Sequence, residues 1–201
     1  MQRTAARIPL SAILDLGDYE RKRDEIRPRA IAARGIRRLE LGPNATLAFE
    51  NRETVVYQIQ EMLRAERIVR EAEIAHEIET YSDLLPTADG LSATLMFEFG
   101  DEATRAVRLH DLVGFEEHLH LDFGSAGRSK AEFDERQLDS EKISAVQFVR
   151  FKLSAGQISA LSSAGEVQLA ADHPAYTWSV RLTAGTRAAL AADLLEARKV
   201  G

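Results

Sequence analysis

The sequence predicts an α+β fold: an N-terminal helical region with a β-hairpin and one long helix, followed by a mostly antiparallel sheet with short helices. Residues 52–81 contain no proline or glycine and carry apolar residues at helical spacing. The C-terminal half instead contains short segments in which apolar and polar residues alternate, as in half-buried strands.

The composition limits the classes of function. The 201 residues include 26 Lys and Arg against 32 Asp and Glu, a net charge of −6, which disfavours nucleic-acid binding as the main role. No cysteine is present, so disulfides, zinc–thiolate sites, cysteine-ligated iron–sulfur clusters and cysteine nucleophiles are excluded. The apolar stretch at residues 8–14 is too short for a signal peptide, and no segment is long enough to span a bilayer. We therefore expect a cytoplasmic protein that does not act at a membrane.

A turn at residues 86–90 is the best candidate for a domain boundary. It would separate a helical arm with the hairpin and the long helix, residues 1–86, from an α+β domain, residues 91–201. The alternative is one continuous domain.

The N-terminal region begins with a loosely ordered lead-in over residues 1–14. Asp15 and Asp18 are both candidate N-caps for a highly charged helix that runs into Arg34. Pro28 lacks a backbone donor and is predicted to kink or end this helix. Gly35 is predicted to close the segment.

A hairpin is predicted next, with alternating strands at residues 38–41 and 46–49 around a Gly-Pro-Asn turn. Asn51 is then the expected N-cap of the long helix, since its side chain can accept a bond from a free backbone N–H. Without a helix breaker, the helix is predicted to reach about Tyr81, a length of roughly 40 Å.

The apolar stripe of the long helix changes its face midway. Its front half is formed by Val55, Val56, Ile59, Met62 and Leu63. Glu66 occupies the next position of this stripe. We predict that Glu66 is buried and paired with a cation such as Arg67, Arg70 or Arg150; the alternative is a solvated carboxylate.

The C-terminal half carries the remaining strand and helix signals. Strands are predicted at residues 93–99, 119–123, 145–153, 167–169 and 178–182. Asp101, Ser154 and Thr183 are predicted to cap helices. Residues 124–129 indicate a polar turn, and residues 130–143 are charged without indicating one structure.

Residues 49–68 read FENRETVVYQIQEMLRAERI. Related motifs lie around this run, including RR at 37–38, LGP at 41–43, LSATL at 91–95, AVQFVRF at 145–151 and DHP at 172–174. With them, most of the chain resembles a bacterial family known only as a domain of unknown function, whose signature is FENRETxxYQIQEMLRAERI. Members of that family tend to be found beside rubrerythrin-like and iron–sulfur reductase proteins. The resemblance therefore implies a role near redox or oxidative-stress chemistry, and it brings no catalytic residues.

A dense set of charged and polar side chains marks the front of the long helix. Its members are Arg52, Glu53, Tyr57, Glu61, Arg64, Glu66 and Arg67. Guanidinium groups could bind a carboxylate or a phosphate here. The alternative is pairing along the helix, for example of Glu61 with Arg64. Arg150, on the predicted central strand, is a further candidate for ligand binding.

Histidines supply the candidates for metal binding and acid–base chemistry. His118, His120 and Asp122 are predicted on one strand face, where they could bind zinc or iron, and the alternative is a solvated polar face. Asp172 and His173 form either an acid–base pair or a hydrogen-bond network that fixes a loop. If a metal is bound, His173 is also expected among its ligands.

Two classes of function stay open. The first is a non-catalytic accessory or binding protein in a redox or oxidative-stress system, with rubrerythrin-like or iron–sulfur reductase proteins as partners. We expect it to form a homo-oligomer, because the two-sided apolar pattern of the long helix needs a covering surface. The second is a metal-dependent enzyme or a metal carrier that uses histidine and carboxylate ligands for iron or zinc. The sequence names no reaction.

Overall fold

The computed structural model describes residues 7–134, 141–163 and 165–200. Its helices and strands, in chain order, are α1 Leu16–Arg37, β1 Arg38–Leu41, β2 Ala45–Phe49, α2 Arg52–Glu66, α3 Glu71–Ser82, β3 Gly90–Phe97, α4 Glu102–Asp111, β4 Leu119–Asp122, β5 Arg128–Phe133, β6 Val146–Lys152, α5 Ala155–Ser162, β7 Gln168–His173, β8 Tyr176–Arg181 and α6 Ala184–Val200. Short 3-10 turns lie at Leu10–Ala12, Phe115–Glu117 and Gly124–Ala126. The predicted α+β class is confirmed.

The strands of the described chain form one antiparallel sheet in the order β1-β2-β3-β6-β5-β4-β7-β8. This sheet curves until its edge strands β1 and β8 approach each other, which nearly closes a barrel. The Tyr176 hydroxyl bridges the two edges. It donates to the Leu41 carbonyl oxygen at 2.6 Å and accepts from the Asn44 N–H at 3.1 Å.

Gly42 allows this close approach. Its φ is +74°, a conformation that residues with a side chain rarely adopt. A Cβ atom at this position would lie 2.6 Å from the Trp178 ring. The hairpin turn therefore requires glycine both for its backbone and for its contact with β8.

Two apolar cores lie on opposite faces of the sheet. The inner core contains inward side chains from every strand, together with Leu109 and Leu112 near α4 and Leu190 and Leu194 of α6. The outer core is formed by Ile8, Val55, Ile59, Leu63, Ile78, Leu84 and Leu85. Phe148 of β6 packs against this outer core, so α2 and α3 are anchored to the convex face of the sheet.

Helix α1 continues past Pro28 to Arg37, so it does not end at Pro28. Gly35 also lies inside the helix rather than closing it. Asp15 caps the N-terminus as predicted, because its carboxylate accepts from the Asp18 N–H at 2.8 Å. The burial of Tyr19 and Ala30, on either side of Pro28, fixes both halves of α1 and compensates for the missing hydrogen bond.

The predicted long helix is two helices. α2 ends at Glu66, and Arg67 adopts a left-handed conformation with φ 55° and ψ 40°. The Ile68 N–H then donates to the Leu63 carbonyl at 2.9 Å, which closes the helix as glycine-containing C-terminal motifs do. This turn folds α3 back beside α2, so that Ile74 and Ile78 of α3 also reach the outer core.

Arg67→Gly should raise the free energy of unfolding by about 1 kcal/mol. A left-handed backbone costs an ordinary residue about 1–2 kcal/mol, and the greater freedom of glycine in the unfolded chain cancels part of that gain. Urea denaturation measures the change. Ala65→Gly is the control, because Ala65 is exposed inside α2 and its replacement by glycine should lower stability. A destabilised Arg67→Gly variant would contradict the strained turn.

The C-terminal caps are confirmed. Asp101, Ser154 and Thr183 each accept the N–H of the residue three positions later, at the starts of α4, α5 and α6. Within the charged stretch at residues 130–143, β5 continues to Phe133, and residues 135–140 lie outside the described residues. β5 begins at Arg128, inside the predicted polar turn.

The lead-in is packed rather than loose over its described part. Ile8 is buried in the outer core. The Gln60 amide accepts from the Leu14 N–H at 2.7 Å and donates to its carbonyl at 3.2 Å. Residues 1–6 lie outside the described residues. No helix in the described part of the chain is long and apolar enough to cross a membrane.

Candidate functional site

The signature segment, residues 49–68, runs from the last residue of β2 through the whole of α2 to the turn after it. The Asn51 side chain accepts from the Thr54 N–H at 2.9 Å, and the Thr54 hydroxyl accepts from the Asn51 N–H at 3.0 Å. This capping box satisfies two backbone donors. The Asn51 amide also lies 3.5 Å from the Asp193 carboxylate, so the same residue connects α2 to α6.

Glu50 is a buried carboxylate at the end of β2. Its side chain is fully buried and accepts hydroxyl protons from Thr54 at 2.6 Å and Thr94 at 2.9 Å. Arg34 of α1 lies 3.4 Å away and supplies the positive charge. Glu50 therefore connects α1, α2 and β3, and its oxygens already have partners within the protein.

Glu61 joins α2 to the front of α1. Both of its oxygens accept from Arg23 at 2.8 Å, and one also accepts from the Tyr19 hydroxyl at 2.6 Å. The Arg23 hydrogen bonds lower the pKa of Glu61 to about 2, despite the opposing effect of burial. Burial and the hydrogen bond to Glu61 raise the pKa of Tyr19. The carboxylate of Glu61 is thus already bonded to Arg23 of the same chain and is not available to a bound ligand.

The pH dependence of stability should report this contact. The folded pKa of Glu61 lies below its ordinary value, so ionised Glu61 stabilises the fold above pH 4.5, and this contribution is lost as the pH falls from about 4.5 to 2. Glu61→Gln should therefore lower the free energy of unfolding at pH 7, and its difference from the wild type should shrink below pH 4.5. Urea denaturation between pH 7 and 2.5 measures this difference. A difference that stays constant with pH would contradict the assignment.

The other members of the charged set have separate surroundings. Arg64 donates to Glu20 of α1 at 2.7 Å, and Glu53 lies 3.7 Å from Arg29. These contacts connect two helices rather than successive turns of α2. Arg52 lines a small cavity between α2 and α6, and Tyr57 is half-buried.

Glu66 is exposed, so the prediction that it is buried and paired is wrong. The helix ends at this residue, and the chain turns away before the apolar stripe can continue. Arg67 is exposed in the same turn. Arg150 lies on β6 and contacts Asp83 instead.

His118, His120 and Asp122 do not form one row. His118 precedes β4 with ψ near 0°, and its Nδ1 lies 2.9 Å from the Asp172 carboxylate. His120 is buried, and burial lowers its pKa. Asp122 accepts from Arg128 at 2.9 Å. Across residues 7–134, 141–163 and 165–200, no three His, Asp or Glu side chains are grouped so that they could hold a metal ion.

Both ring nitrogens of the buried His173 have partners. Nε2 lies 3.2 Å from the Val113 carbonyl, and Nδ1 accepts from the Ala175 N–H at 3.1 Å. The ring is therefore the tautomer with its proton on Nε2. This arrangement favours the loop-fixing interpretation, with Asp172 turned to His118 rather than to its sequence neighbour.

An open cleft of about 700 Å³ lies between the end of α3 and the outer face of β5 and β6; we call it the α3–β6 cleft. Tyr81 and Phe148 supply aromatic surface in this cleft, and both side chains are half-buried. Phe133 borders the cleft, but its side chain packs against the inner core on the other face of the sheet. The cleft therefore offers apolar surface that a bound molecule could cover.

Of the residues that the sequence predicts for ligand binding, Arg150 alone lines the α3–β6 cleft in the described part of the chain. Its side chain is 44% exposed. The guanidinium donates to the Asp83 carbonyl at the end of α3 and lies 4.0 Å from the Asp83 carboxylate. Glu132, its cross-strand neighbour on β5, is exposed beside it.

A family model matches residues 7–194, and its description is Protein of unknown function (DUF3501). The chain belongs to this family. This confirms the resemblance to a domain of unknown function. A crystal structure of a novel protein of unknown function from Burkholderia pseudomallei K96243 is similar to the chain, with 33% sequence identity and a TM-score of 0.87. The similarity covers 93% of this chain and 98% of that one. No curated protein matches the chain.

In this DUF3501 protein, sequence reasoning missed most of the cleft. Tyr81, Asp83 and Glu132 come from two elements that are distant in sequence, and the residues around Glu132 gave no structural signal. One signal was available: Phe148 and Arg150 are two positions apart on a predicted strand, so they share a face. Their common face is the one that lines the cleft.

Proposed function

We propose that this DUF3501 protein is a non-catalytic binding protein whose contact surface is the α3–β6 cleft. The observation that carries the proposal is this open cleft, with half-buried aromatic side chains beside charged groups. The polar groups of Glu50, Asn51 and Glu61 in the signature segment are instead bonded to other parts of the chain. That segment therefore supports the fold, and partners bind elsewhere.

The proposed partners are rubrerythrin-like or iron–sulfur reductase proteins of the same bacterium. The support is the association implied by the family resemblance. The absence of cysteine means that any thiol chemistry would belong to the partner. The role would then be to bind or position a redox protein.

Binding of purified candidate partners tests both parts of the proposal. Thr80 is exposed on the rim of the cleft, so Thr80→Trp should obstruct it without removing a core contact. Ala75→Trp is the matched control, because Ala75 is exposed on the same helix but is not part of the cleft lining. We expect biolayer interferometry to show binding to one of the two partner classes, at least tenfold weaker for Thr80→Trp and unchanged for Ala75→Trp.

Two results would contradict the proposal. Failure of both partner classes to bind the wild-type chain would reject the redox partners. Equal binding of wild type and Thr80→Trp would place the contact outside the cleft.

Self-association also stays a prediction. The two-sided apolar pattern supports it less than the sequence suggested, since Val55, Ile59 and Leu63 of α2 are buried inside the chain. Val69, in the turn after α2, is 68% exposed. Ile31 and Ile36 of α1, which are 53% and 50% exposed, now supply the apolar surface that supports it. Sedimentation velocity at micromolar concentration should show at least a dimer, and a monomer would contradict the prediction.

The alternative function is a metal-dependent enzyme or metal carrier. The contact between His118 and Asp172 favours it, because carboxylates often orient histidines that bind metals. Iron and zinc analysis of the purified protein tests this alternative. Stoichiometric metal that is lost in His118→Ala and His120→Ala would favour it, whereas metal that survives both changes would exclude these two histidines as ligands.

A further inference from the structure

We propose that the α3–β6 cleft binds a basic amphipathic segment of a partner protein, with Arg or Lys next to apolar or aromatic residues. This inference rests on the proposed role of the cleft as the contact surface. It adds the chemistry of the segment, which the family resemblance does not provide.

The rim of the cleft supplies carboxylates. Asp83 is 64% exposed, and Glu132 is exposed on the facing strand. Arg150 lies between them and is bonded to the Asp83 carbonyl, so the local charge balance remains acidic. An incoming guanidinium or ammonium group would find carboxylate acceptors within the rim.

Helix α3 extends this acidic surface away from the cleft. Its sequence, EAEIAHEIETYS, contains four glutamates and no lysine or arginine. Glu71, Glu73 and Glu79 are exposed. Glu73 lies 3.5 Å from Arg70, and Glu79 pairs with Arg7 at 2.5 Å, so these two arginines offset part of the negative charge. Together with the net charge of −6, this helix would attract a basic segment toward the cleft and raise its association rate.

The aromatic side chains explain why the segment should also be amphipathic. Tyr81 and Phe148 line the cleft on the outer side of the sheet. Their rings can pack against apolar side chains, and a cation above a ring face gains further stabilisation. A partner segment with only charged side chains would not cover this aromatic surface.

The segment would bind through side chains rather than as an added strand. β6 pairs with β3 along one edge and, at residues 149–151, with β5 along the other, so β6 has no free edge at Arg150. The partner therefore lies across the outer face. Sequence specificity would come from the rim carboxylates and the aromatic surface.

Fluorescence anisotropy with labelled synthetic peptides tests the inference. The probe is a twelve-residue peptide that combines Arg and Lys with Leu and Phe, and its comparison peptide carries Glu in place of every Arg and Lys. We expect the basic peptide to bind at least tenfold more tightly than the acidic one. Its affinity should fall as the salt concentration rises, because the contacts are electrostatic.

Charge reversal identifies the site. Glu132→Lys should weaken the basic peptide at least tenfold. Glu40→Lys makes the same change in charge on β1, three strands from β6, and should alter affinity less than twofold. Equal effects of the two variants, or tighter binding of the acidic peptide, would overturn the inference.

The basic-segment inference and the proposed partner class can be rejected independently of each other. If the peptide binds and Thr80→Trp blocks it while no redox protein binds, the inference stands and the proposed partner class is rejected. If a redox protein binds in a Thr80-dependent manner but Glu132→Lys has no effect on it, the cleft is the contact surface and the basic segment is rejected.

Discussion

Replacing Asp193 by Ala should lower the free energy of unfolding by about 3–5 kcal/mol, because the change leaves a buried guanidinium unpaired. Arg37 Nε and Nη2 donate to the two oxygens of Asp193 at 2.7 and 2.8 Å. The two side chains are only 10% and 4% exposed. This bidentate pair connects the end of α1 to α6, and the expected loss is a large part of the stability of a small domain.

A double variant separates the stranded charge from the lost contact. Arg37→Met combined with Asp193→Leu removes both charges and should recover at least half of the loss, since apolar replacement of a buried pair is often neutral. Chemical denaturation of the three proteins measures the difference. An Asp193→Ala variant within 1 kcal/mol of the wild type would contradict the importance of the pair.

Glu50→Ala should destabilise the fold by about 2–4 kcal/mol, because it removes the acceptor of two hydroxyl groups at the base of α2. Thr94 would have to find another acceptor, and Thr54 would keep only its longer bond to the Asn51 carbonyl at 3.1 Å. Arg34 is 39% exposed and can turn toward water, so the loss of its partner adds less.

The Glu50→Gln variant is the control for this prediction. It retains one carbonyl oxygen and nearly the same volume, so its loss should be smaller than that of Glu50→Ala. Urea denaturation compares the two variants. Equal losses would show that packing around residue 50 matters more than its hydrogen bonds.

Local structure was predictable from sequence where it depends on close neighbours. Asp15, Asn51 and Asp101 were identified as caps because each accepts an N–H only three residues away. The hairpin was predicted from strand alternation and a glycine-containing turn. The end of α2 was missed because Arg67 is not a residue that usually adopts a left-handed conformation. Helix α1 does not end at Pro28, because the burial of Tyr19 and Ala30 holds it on both sides of the proline.

The sequence did not predict which residues bond to the side chains of the signature segment. The charged residues around Glu61 were recognised, but its partner Arg23 lies 38 positions earlier. Periodicity within one helix cannot choose between such a partner and Arg64. The α3–β6 cleft was missed for the same reason: its residues come from separate elements, and only the curvature of the sheet and the fold-back of α3 bring them together.

The central claim is that the signature segment supports the fold and the α3–β6 cleft binds the partner. The affinity of the basic peptide for two variants tests this claim most directly. Glu61→Gln alters the signature segment, and Glu132→Lys alters the cleft. Anisotropy titrations at pH 7, under conditions where circular dichroism shows both variants folded, should give Glu61→Gln an affinity within twofold of the wild type. Glu132→Lys should lose at least tenfold. The reverse order, with Glu61→Gln the weaker binder, would contradict the account.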